Sequence, residues 1–135
     1  MSTAQNKDLL LQYNKEVIEK GDMEFFQQIA TNDFINHSAP EGMSNGIDGV
    51  IYFFANVIHT ALTDITVNVL DMVAEDNKVA TRKEITGIHT GSLFGIPATG
   101  KKITIKVIDI FTVLDGKLKE HWGENNFASV IQSLQ

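Results

Sequence analysis

Cysteine is absent from the 135 residues, so the chain has no disulfide framework, no thiolate metal site and no cysteine nucleophile. Positive charge is scarce as well. Eleven Lys and Arg stand against seventeen Asp and Glu, a formal net charge of -6, and the basic clusters are Arg82-Lys83 and Lys101-Lys102. Such a surface repels phosphate, so neither nucleic acid nor anionic lipid is an expected partner. Long hydrophobic runs are also missing. The longest, Val50–Ala55, falls far short of the roughly 20 residues of a bilayer-spanning helix. The opening stretch Met1–Asp8 is polar and unlike a signal peptide, so the cytoplasm is the expected location and no membrane contact is expected. With 43% hydrophobic and 21% charged residues, the composition is that of a folded globule. No repeat, linker or low-complexity stretch divides it, and residues 1–135 are expected to form one domain.

The hydrophobic period changes once along the chain. Leu10, Tyr13, Val17 and Ile18 recur at helical spacing within 5–20, and Gly21-Asp22 ends that helix. A second helix is expected over 23–30 and a third over 47–62, with an extended piece at 34–37 and a Gly-rich loop between. After Thr63 the pattern becomes alternating. Strands are expected over 65–74, 78–90, 101–114 and 117–124, the last two joined by Asp115-Gly116, a pair suited to a type I′ turn. Residues 127–134 suit a closing helical turn. Helices followed by a strand meander predict an α+β fold, a cone-shaped curved mixed β-sheet packed on three N-terminal helices. Such a cone encloses a pocket between the sheet and the first and third helices.

Polar residues inside these apolar strands are the candidates for chemistry. Alternation puts Val107, Asp109 and Phe111 on one face, so Asp109 is either buried with a raised pKa or turned to solvent. His121 faces the same way as Lys119 and Gly123 and is placed to pair with Asp109 across the strands. An Asp–His pair in an apolar pocket moves protons near neutral pH. His89 at a strand end is a pocket group or a loop anchor, and His37 stands at the pocket mouth or caps a loop. Tyr13 points a hydroxyl inward or packs in the core. Trp122 lines the pocket or the core, and His59 is expected at the surface. His37, His89 and His121 lack the spacing that sets two metal ligands on one element, so no metal is expected. There is no serine elbow or phosphate-cradling loop; Gly91, Gly95 and Gly100 are wrongly spaced.

Two longer stretches carry a resemblance. Gly87–Lys102, with its GIHTGSLFGIPATGKK run, and Asp115–Trp122, DGKLKEHW, are similar to the matching segments of the SnoaL-like polyketide cyclases; Asn36-His37 and the Gly46–Gly49 loop fit as well. The resemblance implies the conical barrel of the nuclear-transport-factor-two-like superfamily and a homodimer. It implies an intramolecular aldol closure without cofactor, driven by one aspartate whose place falls at Gly123. It sets a pocket histidine of that family at Asp109, and matches a pocket asparagine and a histidine to Asn36 and His89. The strand Val107-Ile108-Asp109-Ile110 also resembles that of ketosteroid isomerase, where an aspartic acid donates to an oxyanion. There Trp122 matches a pocket tryptophan, the base falls near His37 or Ser38, and a tyrosine falls near Tyr13 or Asn14. The expectation is therefore a small, apolar, carbonyl-bearing ligand and cofactor-free acid–base chemistry. Asp109 and His121 transfer protons, Asn36, His37, His89, Trp122 and Tyr13 contact the substrate, and neither cofactor nor metal takes part. The competing expectations are a binding module without catalysis and an assembly role for the outer sheet face.

Overall fold

The computed structural model describes residues 2–135. Helix α1 (Thr3–Gln12) starts with a capping box: the Gln5 N–H donates to Ser2 Oγ at 3.1 Å and the Ser2 N–H to Gln5 Oε1 at 2.9 Å. It runs unbroken into a π-helical segment, Tyr13–Glu19, and the apolar positions read from the sequence are its buried face. Helix α2 (Met23–Ile29) buries Phe26 and Ile29. Helix α3 (Ile47–Tyr52) likewise widens into a π-helical stretch, Phe53–Ile58, before a last α-turn at His59–Ala61. π-helical backbone is rare and concentrates at functional sites. Here both stretches face the same cavity.

The sheet is five-stranded, in the order β1-β5-β4-β3-β2. Strands β2 (Leu62–Glu75), β3 (Lys78–His89), β4 (Lys102–Leu114) and β5 (Lys117–Asn125) form an antiparallel meander. Asp115 and Gly116 make the β4–β5 turn with φ of 49° and 77°, the double positive φ of a type I′ hairpin. The meander's hydrophobic alternation packs Val79, Ile85, Ile103, Ile105 and Phe111 against the helices. Helix α4 (Phe127–Ser133) closes the end of the chain.

Two expectations are corrected. Residues 30–36, read as the end of a helix, a break at Asn32-Asp33 and a short extended piece, form one strand, β1 (Ala30–Asn36). It runs parallel to β5, pairing Ile35 with Glu120 and Asn36 with His121, and makes the sheet mixed. Its middle residues are exposed and polar because it is an edge strand. His59, expected at the surface, is half-buried, and its Nε2–H donates to the Ile18 carbonyl at 2.7 Å. That carbonyl belongs to the last turn of the π-helical segment Tyr13–Glu19, where carbonyl groups lack intrahelical partners.

Candidate functional site

Between the concave face of the sheet and the two π-helical segments lies a cavity of about 470 Å³. Phe26, Phe34, Phe54, Ile58, Ile105 and Phe111 make most of its wall apolar. Phe94, in the loop after β3, and Phe127 close one side with their rings 6.0 Å apart. Inside this apolar shell a few polar groups converge: Tyr13 from α1, Asn36 from β1, Lys83 from β3, Asp109 from β4, and His121 from β5.

Strand alternation brings them together. Asp109 opposes Gly123 across β4 and β5, and Thr81 across β3 and β4, so its side chain enters the cone. Lys83 lies two residues beyond Thr81 on that inward face. Lys83 and Asp109 are 2% and 3% exposed, with Nζ 3.0 Å from Oδ2, so the pair is a buried ion pair. Lys83 Nζ also donates to Asn14 Oδ1 at 2.8 Å and lies 5.3 Å from the centre of the Tyr13 ring. Burial alone raises the Asp109 pKa, but the charge of Lys83 and the His121 ring outweigh it, and the carboxyl stays below the ordinary carboxylate range. The raised pKa considered for a buried Asp109 is thus corrected: its environment supplies a counter-ion. Burial, and then the Asp109 charge, drive the Tyr13 hydroxyl strongly upward, so it stays protonated.

His121 Nε2 is 3.7 Å from Asp109 Oδ2, too long for a hydrogen bond but within reach of charge–charge attraction. On the other side of the ring, Nδ1 is 2.8 Å from Asn36 Oδ1. That oxygen also accepts the Ser38 N–H at 3.0 Å, which identifies it as the acceptor. Nδ1 therefore donates, and in the neutral ring Nε2 holds the lone pair. Oδ1 of Asp109 is buried and has no hydrogen-bond partner among the described residues.

Three of the residues singled out in the sequence lie elsewhere. Trp122 follows an inward His121 and so points outward; its ring stacks on His37, 4.6 Å away at 12°. His37 is bonded to Glu120 at 2.9 Å on that same outer side. His89 is fully buried at the end of β3, where Nδ1 accepts the Thr99 N–H at 3.3 Å and lies 2.9 Å from Thr99 Oγ1, tying down the loop. These three residues are not in the lining of the cavity and make packing and anchoring contacts instead. Lys83 was missed. Its sequence signal was the alternation of Val79, Thr81, Lys83 and Ile85, which places one member of the Arg82-Lys83 pair inside.

A conical α+β fold around an apolar cavity with convergent polar groups defines a class of small-molecule-binding proteins. The family model described as SnoaL-like polyketide cyclase matches residues 8–134, and the chain belongs to that family. Among curated relatives, the aklanonic acid methyl ester cyclase DnrD of Streptomyces peucetius is 26% identical over 84 residues, 61% of this chain. The match spans only about half, 52%, of that relative's length. TsrD from Streptomyces laurentii shares the fold at a TM-score of 0.85 and 22% identity, over 99% of this chain and 97% of its own. AclR from Streptomyces galilaeus superposes at a TM-score of 0.87 with 23% identity, over 98% of this chain and 82% of its own. The family binds small-molecule ligands, and among the described residues no helix is long and apolar enough to cross a membrane.

Proposed function

We propose that this protein binds a small, largely apolar carbonyl compound in the cone and moves a proton on it without a cofactor, as a cyclase or isomerase. The observation that carries this reading is His121, hung by Nδ1 from Asn36 with Nε2 left free beside a carboxylate in an apolar cavity. Nε2 takes a proton from the carbon next to the carbonyl, and the imidazolium so formed is stabilised by Asp109. Asp109 is the anionic partner, not a protonated acid. Tyr13, protonated at working pH, is a donor at the cavity wall.

The test does not need the natural substrate. Aryl-substituted 1,3-diketones are incubated with the protein in deuterated buffer, and uptake of deuterium at the central carbon is followed by NMR. His121→Phe and Asp109→Asn are each expected to slow enzyme-dependent exchange by roughly a hundredfold or more, the usual scale for a general acid–base group. Exchange by both variants at the wild-type rate overturns the assignment. A second reading, binding without catalysis, is favoured by the missing side chain at Gly123, where the resemblance implies the cyclase aspartate. It predicts that the diketones bind and that the protein adds nothing to the rate at which buffer alone introduces deuterium.

The protein acts as a homodimer in this proposal. The outer sheet face supports it, with Val73, Ala80, Ile110 and Trp122 in register across β2 to β5.

A further inference from the structure

Of the five polar groups that converge inside the apolar shell, Lys83 is the one that proton transfer by His121 leaves without a task. Two of its contacts, Asp109 Oδ2 at 3.0 Å and Asn14 Oδ1 at 2.8 Å, hold Nζ in place, and Lys83 is among the residues that line the cavity. A lysine ammonium has three donors, and no further acceptor for Nζ is found among the described residues. Burying an ion pair costs desolvation, and an apolar side chain such as that of neighbouring Ile85 fills the inward face of β3 at no such cost. A buried ammonium kept at a cavity wall suits a place where negative charge develops in the bound molecule.

We infer that Lys83 is the oxyanion-holding residue of this site, its remaining N–H receiving the carbonyl oxygen of the bound molecule. This rests on the reading of the cavity as a carbonyl site. The C–H bond next to the carbonyl breaks, its proton passes to His121 Nε2 and its electron pair becomes a C=C bond. The carbonyl π pair moves onto oxygen, and Lys83 holds the resulting enolate. Return of the proton from His121 to another carbon completes an isomerisation. Attack of the enolate carbon on a second carbonyl, whose new alkoxide takes the proton back from His121, completes an aldol closure. Asn14 and Asp109 are positioning residues for the ammonium, and Asp109 serves His121 as well.

The probe is 4-nitrophenol, an apolar ring with one oxygen whose ionised form is coloured. Titrating the bound phenol with pH reads the preference of the cavity for an oxyanion. The wild type is expected to favour the phenolate, and Lys83→Gln to reduce that preference by about tenfold or more while still binding the neutral phenol. Asp109→Asn is expected to move it the opposite way, because the ammonium loses its competing anion. A lysine with a merely packing role produces no such pair of opposite shifts. Where Lys83→Gln fails to fold around an unpaired Asp109, the double variant Lys83→Gln/Asp109→Asn removes both charges and must show the same loss relative to Asp109→Asn. A wild type that binds the phenol without favouring the phenolate overturns the Lys83 assignment alone. So does a Lys83→Gln variant with the preference intact. A wild type that binds neither form overturns the carbonyl-site reading along with it.

Discussion

A methyl group built on position 123 lies 2.9 Å from Cε1 and 3.1 Å from Nε2 of His121, and 3.8 Å from Cβ of Asp109. The inward space above this residue is already filled by the His121 ring. The resemblance implies an aspartate here in the cyclases; in this chain the carboxylate of the pocket comes from β4 instead, at Asp109, with the imidazole beside it. Glycine at 123 is thus a condition for the ring to lie where Asn36 and Asp109 meet it, rather than only the loss of a group. Its φ is not in the left-handed region, so alanine fits the backbone there. Gly123→Ala is nevertheless expected to lower the melting temperature slightly, since the His121 ring must leave Asn36 to clear the methyl group and this outweighs the restriction of the unfolded chain. It is also expected to slow diketone deuterium exchange by roughly tenfold or more through displacement of the ring. Thermal melting and the exchange assay run side by side check this. Unchanged exchange means that the position of the His121 ring does not matter to the chemistry.

At the scale of elements, the His59 side chain ties the α-turn after the second π-helical stretch to the end of the first. His59 bonds the Ile18 carbonyl at 2.7 Å, and its ring fills the space beside Gly21. Removing it leaves a carbonyl at a helix end unsatisfied, at a cost of about 1–3 kcal/mol. His59→Ala is expected to lower the melting temperature by several degrees, the usual scale for a domain of this size. Calorimetry decides it, and a melt equal to the wild type removes the clasp from the account. The same elements explain which parts of the site were legible. Helical spacing picks out the buried face of α1, and the Ile/Val/Thr alternation sets Asp109 on one face of β4 with Val107 and Phe111 but leaves open whether that face is the core, which only the family resemblance favours. Alternation in β5 also sends His121 in and Trp122 out, but the family likeness of Trp122 outweighed that parity. Lys83 stands in the sequence as half of a basic pair, although its parity with Val79 and Ile85 marks the core face. The edge strand β1 hid behind Asn32-Asp33, since an exposed parallel strand keeps little hydrophobic alternation. No period in the sequence signals which helix end His59 will reach, because that contact is tertiary.

For the whole molecule, the sheet has two faces and the helices cover only one. On the other, Val73 on β2, Ile108 and Ile110 on β4 and Trp122 on β5 are 64%, 54%, 38% and 36% exposed, more apolar area in one place than scattered surface residues provide. The row Val73–Ala80–Ile110–Trp122 runs across four strands in register. Beside it on the same face lie Lys78, Arg82 and Lys106 among Glu84, Glu120 and Glu124, so an apolar centre is bordered by charges of both signs. Interfaces have that arrangement, and a second copy meets such a face without net like-charge repulsion despite the overall charge of -6. The cavity opens on the concave side, so pairing of convex faces leaves both sites free to act independently. Ile110→Lys puts a charge in the middle of the row without touching the core. Sedimentation is expected to find the wild type as a dimer and this variant as a monomer, with 4-nitrophenol binding retained, because the cavity is complete within one chain. A wild type that sediments as a monomer at all concentrations removes the dimer; a monomeric variant that no longer binds the phenol means instead that the outer face supports the shape of the cone.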